Sequence, residues 1–408
     1  MKVAELPFIS GRWARATAAS IVALTCVLAA TGPPVEEARA GGRYTRRASR
    51  VAEGLKLIKL YDNRLRARIK VLVVDPKTSM TLDVALANDV LPGRETTGSM
   101  AARHNAIAAV NASFGTSWGR PIGIFAEDGF LKASPLVTGG AFSMTRDENE
   151  GNIGYPSFSV FGRVAKNKEG LRIGDWNDVY PNRERINVWT EAGGEVVKPP
   201  KDSCSVRLIR AGKMRWSSVR KGIVRSYRVR KSACRETAMG LGKGIVLAAR
   251  RGTEQASRLM NTTARGDKVN LTWSVGWPGS MDVVGGSPVL MHDNQIIVQE
   301  CDAYVCRAHP RTGVGVTPNE KVLLVTVDGR QSDSKGMTIL QFAKLFKYLG
   351  AQKALNLDGG GSSTMVVKGE LTNRPSEGHQ REVASAILVL DHPDGKEPVP
   401  APATNSGN

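Results

Sequence analysis

The chain has 408 residues, with 57 Lys and Arg against 38 Asp and Glu, and only 5 His and 5 Cys. Apolar residues make up 41% and charged residues 23%, which excludes a disordered, collagenous or disulfide-miniprotein class. The few His and the lack of any CxxC pair argue against a Cys/His zinc site.

Lys2, Arg12 and Arg15 precede an uncharged run over Ala16–Gly32, followed by Ala38-Arg39-Ala40. This predicts a secretory signal peptide over 1–40, cleaved after Ala40. Its removal takes four basic residues (Lys2, Arg12, Arg15, Arg39) and three acidic ones (Glu5, Glu36, Glu37), so nearly all of the +19 charge stays. Four cysteines remain: Cys204, Cys234, Cys301 and Cys306. In an exported chain they predict two disulfides. Three pairings exist, and closeness in the chain favours Cys204–Cys234 with Cys301–Cys306. A strongly basic exported protein is expected to be soluble and to touch anionic cell surfaces electrostatically. Nucleic acid is not expected as a partner, and no obligate protein partner is inferred.

Residues 41–54 read as a basic linker, with order beginning near Leu55. The runs at 55–61, 69–75 and 81–87 are β-rich, with a turn at Asp75–Thr78. Residues 98–104 suggest a short helix, followed by a strand at 106–110. Short strands between Gly, Asn and Asp turns continue to about 290. Residues 162–270 suggest a β insertion and carry no chemistry.

The C-terminal third is sharper. Residues 321–327 (KVLLVTV) form an apolar run ending at Asp328-Gly329-Arg330. Thr338 can cap a helix running to about Leu349, with Ile339, Phe342, Ala343 and Phe346 on one stripe and Gly350 as its stop. A second strand, 354–357, ends at Asp358-Gly359-Gly360-Gly361-Ser362-Ser363. Further strands follow at 364–367 and 383–390. The tail, 393–408, is Pro-, Gly- and Asn-rich and reads as disordered. The expected fold is α+β (mixed α/β): one strand-rich catalytic domain over 55–392 whose C-terminal strand–helix–strand unit carries the site. If that unit is a parallel crossover, Asp328 and Asp358 meet at one sheet edge, about 5–10 Å apart. That range includes carboxylate separations used in glycoside hydrolysis. Three glycines let the backbone approach a ligand and present N–H groups to anions or sugar oxygens.

The runs HPRTGVG (309–315), VTVDGRQSDSKGMTILQFAKLFKYLGAQKALNLDGGGSSTMVVKGEL (325–371) and NRPSEGHQREVASAILV (373–389) resemble the phosphodiester glycosidase family. Upstream, AVNASFG (109–115), PIGIFAEDGFL (121–131) and VVGGSPVLMHDN (283–294) follow in the same order. The family's Asn-Gly turn is Asn111-Ala112 here. The resemblance implies removal of a sugar from a sugar-1-phosphodiester by cleavage of the bond from C1 to the phosphate oxygen. A phosphorylated wall polymer, polysaccharide or glycolipid is the expected substrate.

Phosphate is a stable leaving anion, so a general acid matters less than in ordinary glycosides. Asp358 is the first candidate for nucleophile or general base, and Asp328 is its partner or a sugar clamp. Arg311 and Arg330 are candidates to grip phosphate. The N–H groups of Gly359, Gly360, Gly361 and Ser362 are expected to hold phosphate or sugar oxygens, and Asn111, Thr312 and Asn356 to contact sugar. Glu300, Asp282 and Asp293 are reserve carboxylates. No cofactor is required, although the Asp and Asn oxygens leave room for a divalent cation. Two rival readings share these residues: a non-catalytic wall-binding protein, and a phosphodiesterase that cuts P–O.

Overall fold

A computed structural model describes residues 42–392, apart from 146–149, 179–181, 195, 198, 218, 236–238, 243 and 275–276. The expected signal peptide at 1–40 and the tail at 393–408 lie outside the described residues. Strands take 48% of the described residues and helices 11%, in a mostly β fold with a nearly closed barrel. The α+β expectation is therefore corrected. The physical reason is local: most of the apolar segments are short runs rich in β-branched residues, such as Val322–Val327 and Ser385–Asp391, too short and too turn-bounded for helices.

Among the described residues there are three α-helices, α1 Thr97–Arg103, α2 Glu254–Thr262 and α3 Ile339–Tyr348. The third begins as the sequence indicates. Thr338 Oγ1 accepts from Gln341 N, and the Gln341 side chain accepts from Thr338 N, closing a capping box. Gly350 follows the helix at φ +85°, a conformation that glycine adopts without strain. Ile339, Phe342, Ala343 and Phe346 are buried against Ile69, Val71, Met291 and Ala354.

The site is built on an eight-stranded sheet. β1 (Tyr44–Ala52), β2 (Leu55–Asp62) and β3 (Ala67–Val74) lead into strands Val322–Val327, Arg311–Val316, Lys353–Asn356, Val289–His292 and Gln295–Ile296. Every neighbouring pair in it is antiparallel. Residues 44–52, expected within a basic linker, are thus an edge strand paired to β2.

The expected parallel crossover is also corrected. Strands Val322–Val327 and Lys353–Asn356 run the same way but are not neighbours. Strand Arg311–Val316 lies between them, antiparallel to both. Asp328 and Asp358 still follow strands that end at one edge, with a strand between them and hence about 10 Å between their backbones.

Two further sheets close on this one. One pairs Glu370–Leu371, Met365–Val367, Ala108–Asn111, Ser385–Asp391 and β4 (Met80–Leu86) in that order. The other is built on strands Gly140–Thr145 and Ser280–Gly286. Leu57, Leu72, Val84, Val110, Phe142, Leu324, Leu355 and Ile387 from all three sheets form one core. A nine-stranded sheet spanning residues 159–274 has a core of its own with Trp176, Tyr227 and Trp273.

Candidate active site

A cleft of about 820 Å³ opens where the strand Lys353–Asn356 ends. Asp358, Gly359, Gly360, Gly361, Asn356, Arg311, Arg330, Arg381, His309 and Tyr304 line it. Phe114, Ile122, Val137, Pro288 and the glycines at 123, 139, 285 and 286 add an apolar part. Asp358 is the one carboxylate among the lining residues.

Hydrogen bonds across the sheet edges fix Asp358. Its N–H donates to Ala112 O at 2.9 Å, and its carbonyl accepts from Asn111 Nδ2 at 2.6 Å. Burial pushes its carboxyl up to about 6, while the Ser362 hydroxyl, the Arg381 charge and the Gly359 N–H pull it partway back. It therefore changes charge near neutral pH.

Asn111 is fully buried and satisfied inside the protein. Besides donating to Asp358, its Oδ1 accepts from Thr312 Oγ1 at 2.8 Å and Thr364 N at 3.0 Å. Neither Asn111 nor Thr312 lines the cleft, so the expected sugar contacts of both are corrected to support of the Asp358 backbone. Asn356 does line it. Its Nδ2 donates to Ser287 O at 2.7 Å, and its buried Oδ1 has no partner among the described residues, leaving an acceptor for a ligand.

Asp328 also departs from expectation. It is 1% exposed and absent from the cleft lining. Its Oδ1 accepts from Arg374 N at 3.0 Å, and its carbonyl accepts from Ser334 Oγ. Burial raises its pKa, with the Arg374 N–H and the Lys70 charge opposing. Asp328 anchors the 373–374 turn and is not a second carboxylate in the cleft.

The glycine turn is tighter than an open anion cradle. Gly360 N donates to Pro310 O, Ser362 N to Gly359 O and Ser363 N to Gly360 O. Gly359 N helps to hold the Asp358 carboxylate. The N–H groups of Gly360 and Ser362 are thus engaged within the protein, while Gly359, Gly360 and Gly361 line the cleft. The glycines serve close approach instead. A Cβ on Gly359 would stand 2.8 Å from the Pro310 carbonyl oxygen, whereas those on Gly360 and Gly361 would meet the movable ends of Arg330, Arg381 and Glu377.

Three arginines share the cleft with the carboxylate, and Arg381 is the one whose charge acts on it. Arg311 is 5% exposed, and burial holds it down to about 10. Its Nε donates to Met337 O, and its Nη2 to Val305 O and Arg307 O. Nη1 has no partner among the described residues. Arg330 is exposed, with Nη2 3.3 Å from Tyr304 Oη and 3.4 Å from His309 Nδ1. Arg381 pairs with Glu377 and reaches Ser362 Oγ at 3.4 Å. Arg381, His309 and Tyr304 were not singled out from sequence. Arg381 and His309 lie within the family-like runs, and Tyr304 stands between two closely spaced cysteines. The disulfides pair as expected, Cys204–Cys234 and Cys301–Cys306. The second closes the loop that carries Tyr304 and Val305 into the cleft wall.

Glu300, Asp282 and Asp293 lie outside the lining. No group of three or more His, Cys, Asp or Glu residues that could hold a metal exists among the described residues.

Comparison with known proteins agrees with the motifs. The YomE protein of the SPbeta prophage in Bacillus subtilis (strain 168), which is uncharacterized, is 38% identical over 86 residues, 21% of this chain and 13% of that protein. The Mus musculus N-acetylglucosamine-1-phosphodiester alpha-N-acetylglucosaminidase is 33% identical over 86 residues, 19% of this chain and 16% of that protein. The matches therefore span only a small part of these relatives. A hypothetical protein from Synechocystis, of known crystal structure, shares the fold with a TM-score of 0.66 at 20% identity, over 89% of this chain and 65% of the other. The phosphodiester glycosidase family model matches residues 219–390, so the resemblance carried by the C-terminal motifs holds over the part of the chain that supplies Asp358 and its arginines.

Proposed function

We propose that the cleft hydrolyses the C1–O bond of a sugar-1-phosphodiester, with Asp358 as nucleophile or general base. The observation that carries this reading is one titratable carboxylate and three arginines among the described residues that line a single cleft. An ordinary glycosidase needs a second carboxyl group to protonate the leaving oxygen. A phosphate leaves as a stable anion without that help, and guanidinium groups are suited to hold it. Arg330 and Arg381 bracket the Asp358 turn and take the phosphate oxygens, with Nη1 of Arg311 behind them. Asn356 Oδ1 accepts from a sugar hydroxyl. Either water attacks C1 and gives its proton to Asp358, or Asp358 attacks C1 and water then hydrolyses the resulting glycosyl ester; in both, the C1–O bonding pair leaves with the phosphate.

The two disulfides support work in an oxidising, extracytoplasmic setting. The natural substrate in this reading is a phosphate-linked sugar in a wall polymer, polysaccharide or glycolipid. Hydrolysis in ¹⁸O-labelled water tests the bond that breaks. Label in the sugar is expected. Label in the phosphate would assign a P–O phosphodiesterase, and no turnover of any sugar-1-phosphodiester would leave a glycan-binding protein.

A further inference from the structure

Away from the cleft lining, three cations stand in one file across the eight-stranded sheet. The register sets Arg47 of β1 opposite Lys59 of β2, Lys59 opposite Lys70 of β3, and Lys70 opposite Thr326. Residues paired directly on antiparallel strands share a face and lie about 5 Å apart. Towards the other end of the same face, Leu57, Leu72 and Leu324 enter the main core. Arg47 and Lys59 are exposed, and Lys70 is half-buried.

Like charges placed directly opposite destabilise a strand pair, and nothing nearby relieves these by direct contact. Among the described residues Arg47, Lys59 and Lys70 have no ion pair and no side-chain hydrogen bond. The neighbouring cations are already partnered: Arg43 with Asp62, and Arg68 and Arg374 with Asp333. Burial, Lys59, Arg68 and Arg374 all press Lys70 towards losing its proton, and Asp328 opposes them. Beyond Lys70 the file ends at Thr326, which is fully buried. Thr326 pairs with Thr312, which donates to Asn111, which in turn holds the Asp358 carbonyl.

We infer that Arg47, Lys59 and Lys70 form a track that binds the phosphodiester backbone of a linear anionic polymer. A flat lipid surface suits cations spread over a broad exposed face, and half-buried Lys70 is poorly placed to reach one. A single file of cations about 5 Å apart matches a chain of phosphates. The inference rests on the proposed function only for what the polymer delivers to the cleft.

The test uses the full chain and an Arg47→Gln/Lys59→Gln variant. Both positions are exposed, so the fold is expected to persist. Binding to poly(glycerol phosphate) is measured across a salt series, and hydrolysis of a small sugar-1-phosphodiester is measured separately. An Arg228→Gln/Arg230→Gln variant, on strand Gly222–Cys234, controls for diffuse charge. The track variant is expected to bind the polymer about tenfold more weakly at about 50 mM salt, with a log–log salt slope shallower by about 1.5. Its turnover of the small substrate is expected to stay normal. Equal polymer binding by the track variant and wild type overturns the track, as does an equal loss in the control variant. Tighter wild-type binding to phosphatidylglycerol vesicles or to single-stranded DNA overturns the assignment of the polymer. If wild type hydrolyses nothing yet the track variant still loses polymer, the glycosidase reading fails and the track stands.

Discussion

Asn111 and Asp358, 247 residues apart in the chain, are joined by a 2.6 Å hydrogen bond from the Asn111 amide to the Asp358 carbonyl. Through it the sheet that carries Ala108–Asn111 holds the residue that follows strand Lys353–Asn356. The same amide oxygen accepts from Thr312 and Thr364, so one side chain ties three segments together. Asn111→Ala leaves all three partners buried without it, at about 1–3 kcal/mol each before relaxation. We expect a fall of at least about 5 °C in Tm and a loss in kcat larger than the change in KM. A thermal melt beside steady-state kinetics decides it. An unchanged kcat in a folded protein would show that Asp358 needs no such anchor.

The two aspartates should separate cleanly. Asp358→Asn removes the one carboxylate of the cleft and should lower kcat at least about a hundredfold with the fold intact. Asp328→Asn keeps an acceptor for Arg374 N outside the cleft and should cost less than about tenfold. Equal losses in the two folded variants would return Asp328 to the chemistry.

The Cys301–Cys306 loop builds one wall of the cleft. Tyr304 is 64% exposed on it, its ring centroid is 4.5 Å from that of His309, and its hydroxyl lies beside Arg330. Arg311 binds the carbonyls of Val305 and Arg307 from below. A Cys301→Ser/Cys306→Ser variant loses the cross-link but keeps the Arg311 contacts. We expect KM for a sugar-1-phosphodiester to rise severalfold, with kcat within about twofold. Tyr304→Phe, which removes only the hydroxyl, should show a smaller rise. Kinetics unchanged in both variants would reduce the loop to a passive cover.

The sequence made some of this legible and hid the rest for identifiable reasons. The Thr338 cap, the apolar stripe of the third helix and the Gly350 stop are local signals, and they match the structure. Asp358 was legible because glycines beside a strand end mark close backbone approach. Asp328 looked equivalent because it too follows an apolar strand. Its carboxylate is held by Arg374 N, which approaches from a distant segment. The strand Arg311–Val316, inserted between the two strands that flank the helix, is a non-local pairing that no local pattern announces. Residues 44–52 read as linker because basic residues dominate the run, and only pairing with β2 makes it a strand.

The raised pKa of Asp358 makes a prediction in which activity and stability move in opposite directions. Its folded value is about 6 against an ordinary 3.8. Between those values the folded protein binds more protons than the unfolded chain, so stability falls as pH rises, and the loss is complete above about 6. The charged carboxylate therefore costs the folded state up to about 2–3 kcal/mol at pH 7.5. Asp358→Asn removes this cost. Its Tm should exceed that of wild type at pH 7.5, with the difference shrinking towards zero near pH 4. Wild-type kcat should rise with pH through about 6 and then level, because only the ionised form can attack C1 or activate water. A Tm difference that is flat from pH 4 to 7.5 would show that Asp358 titrates like an ordinary carboxylate. A flat activity profile over that range would then show that its ionisation does not control the reaction.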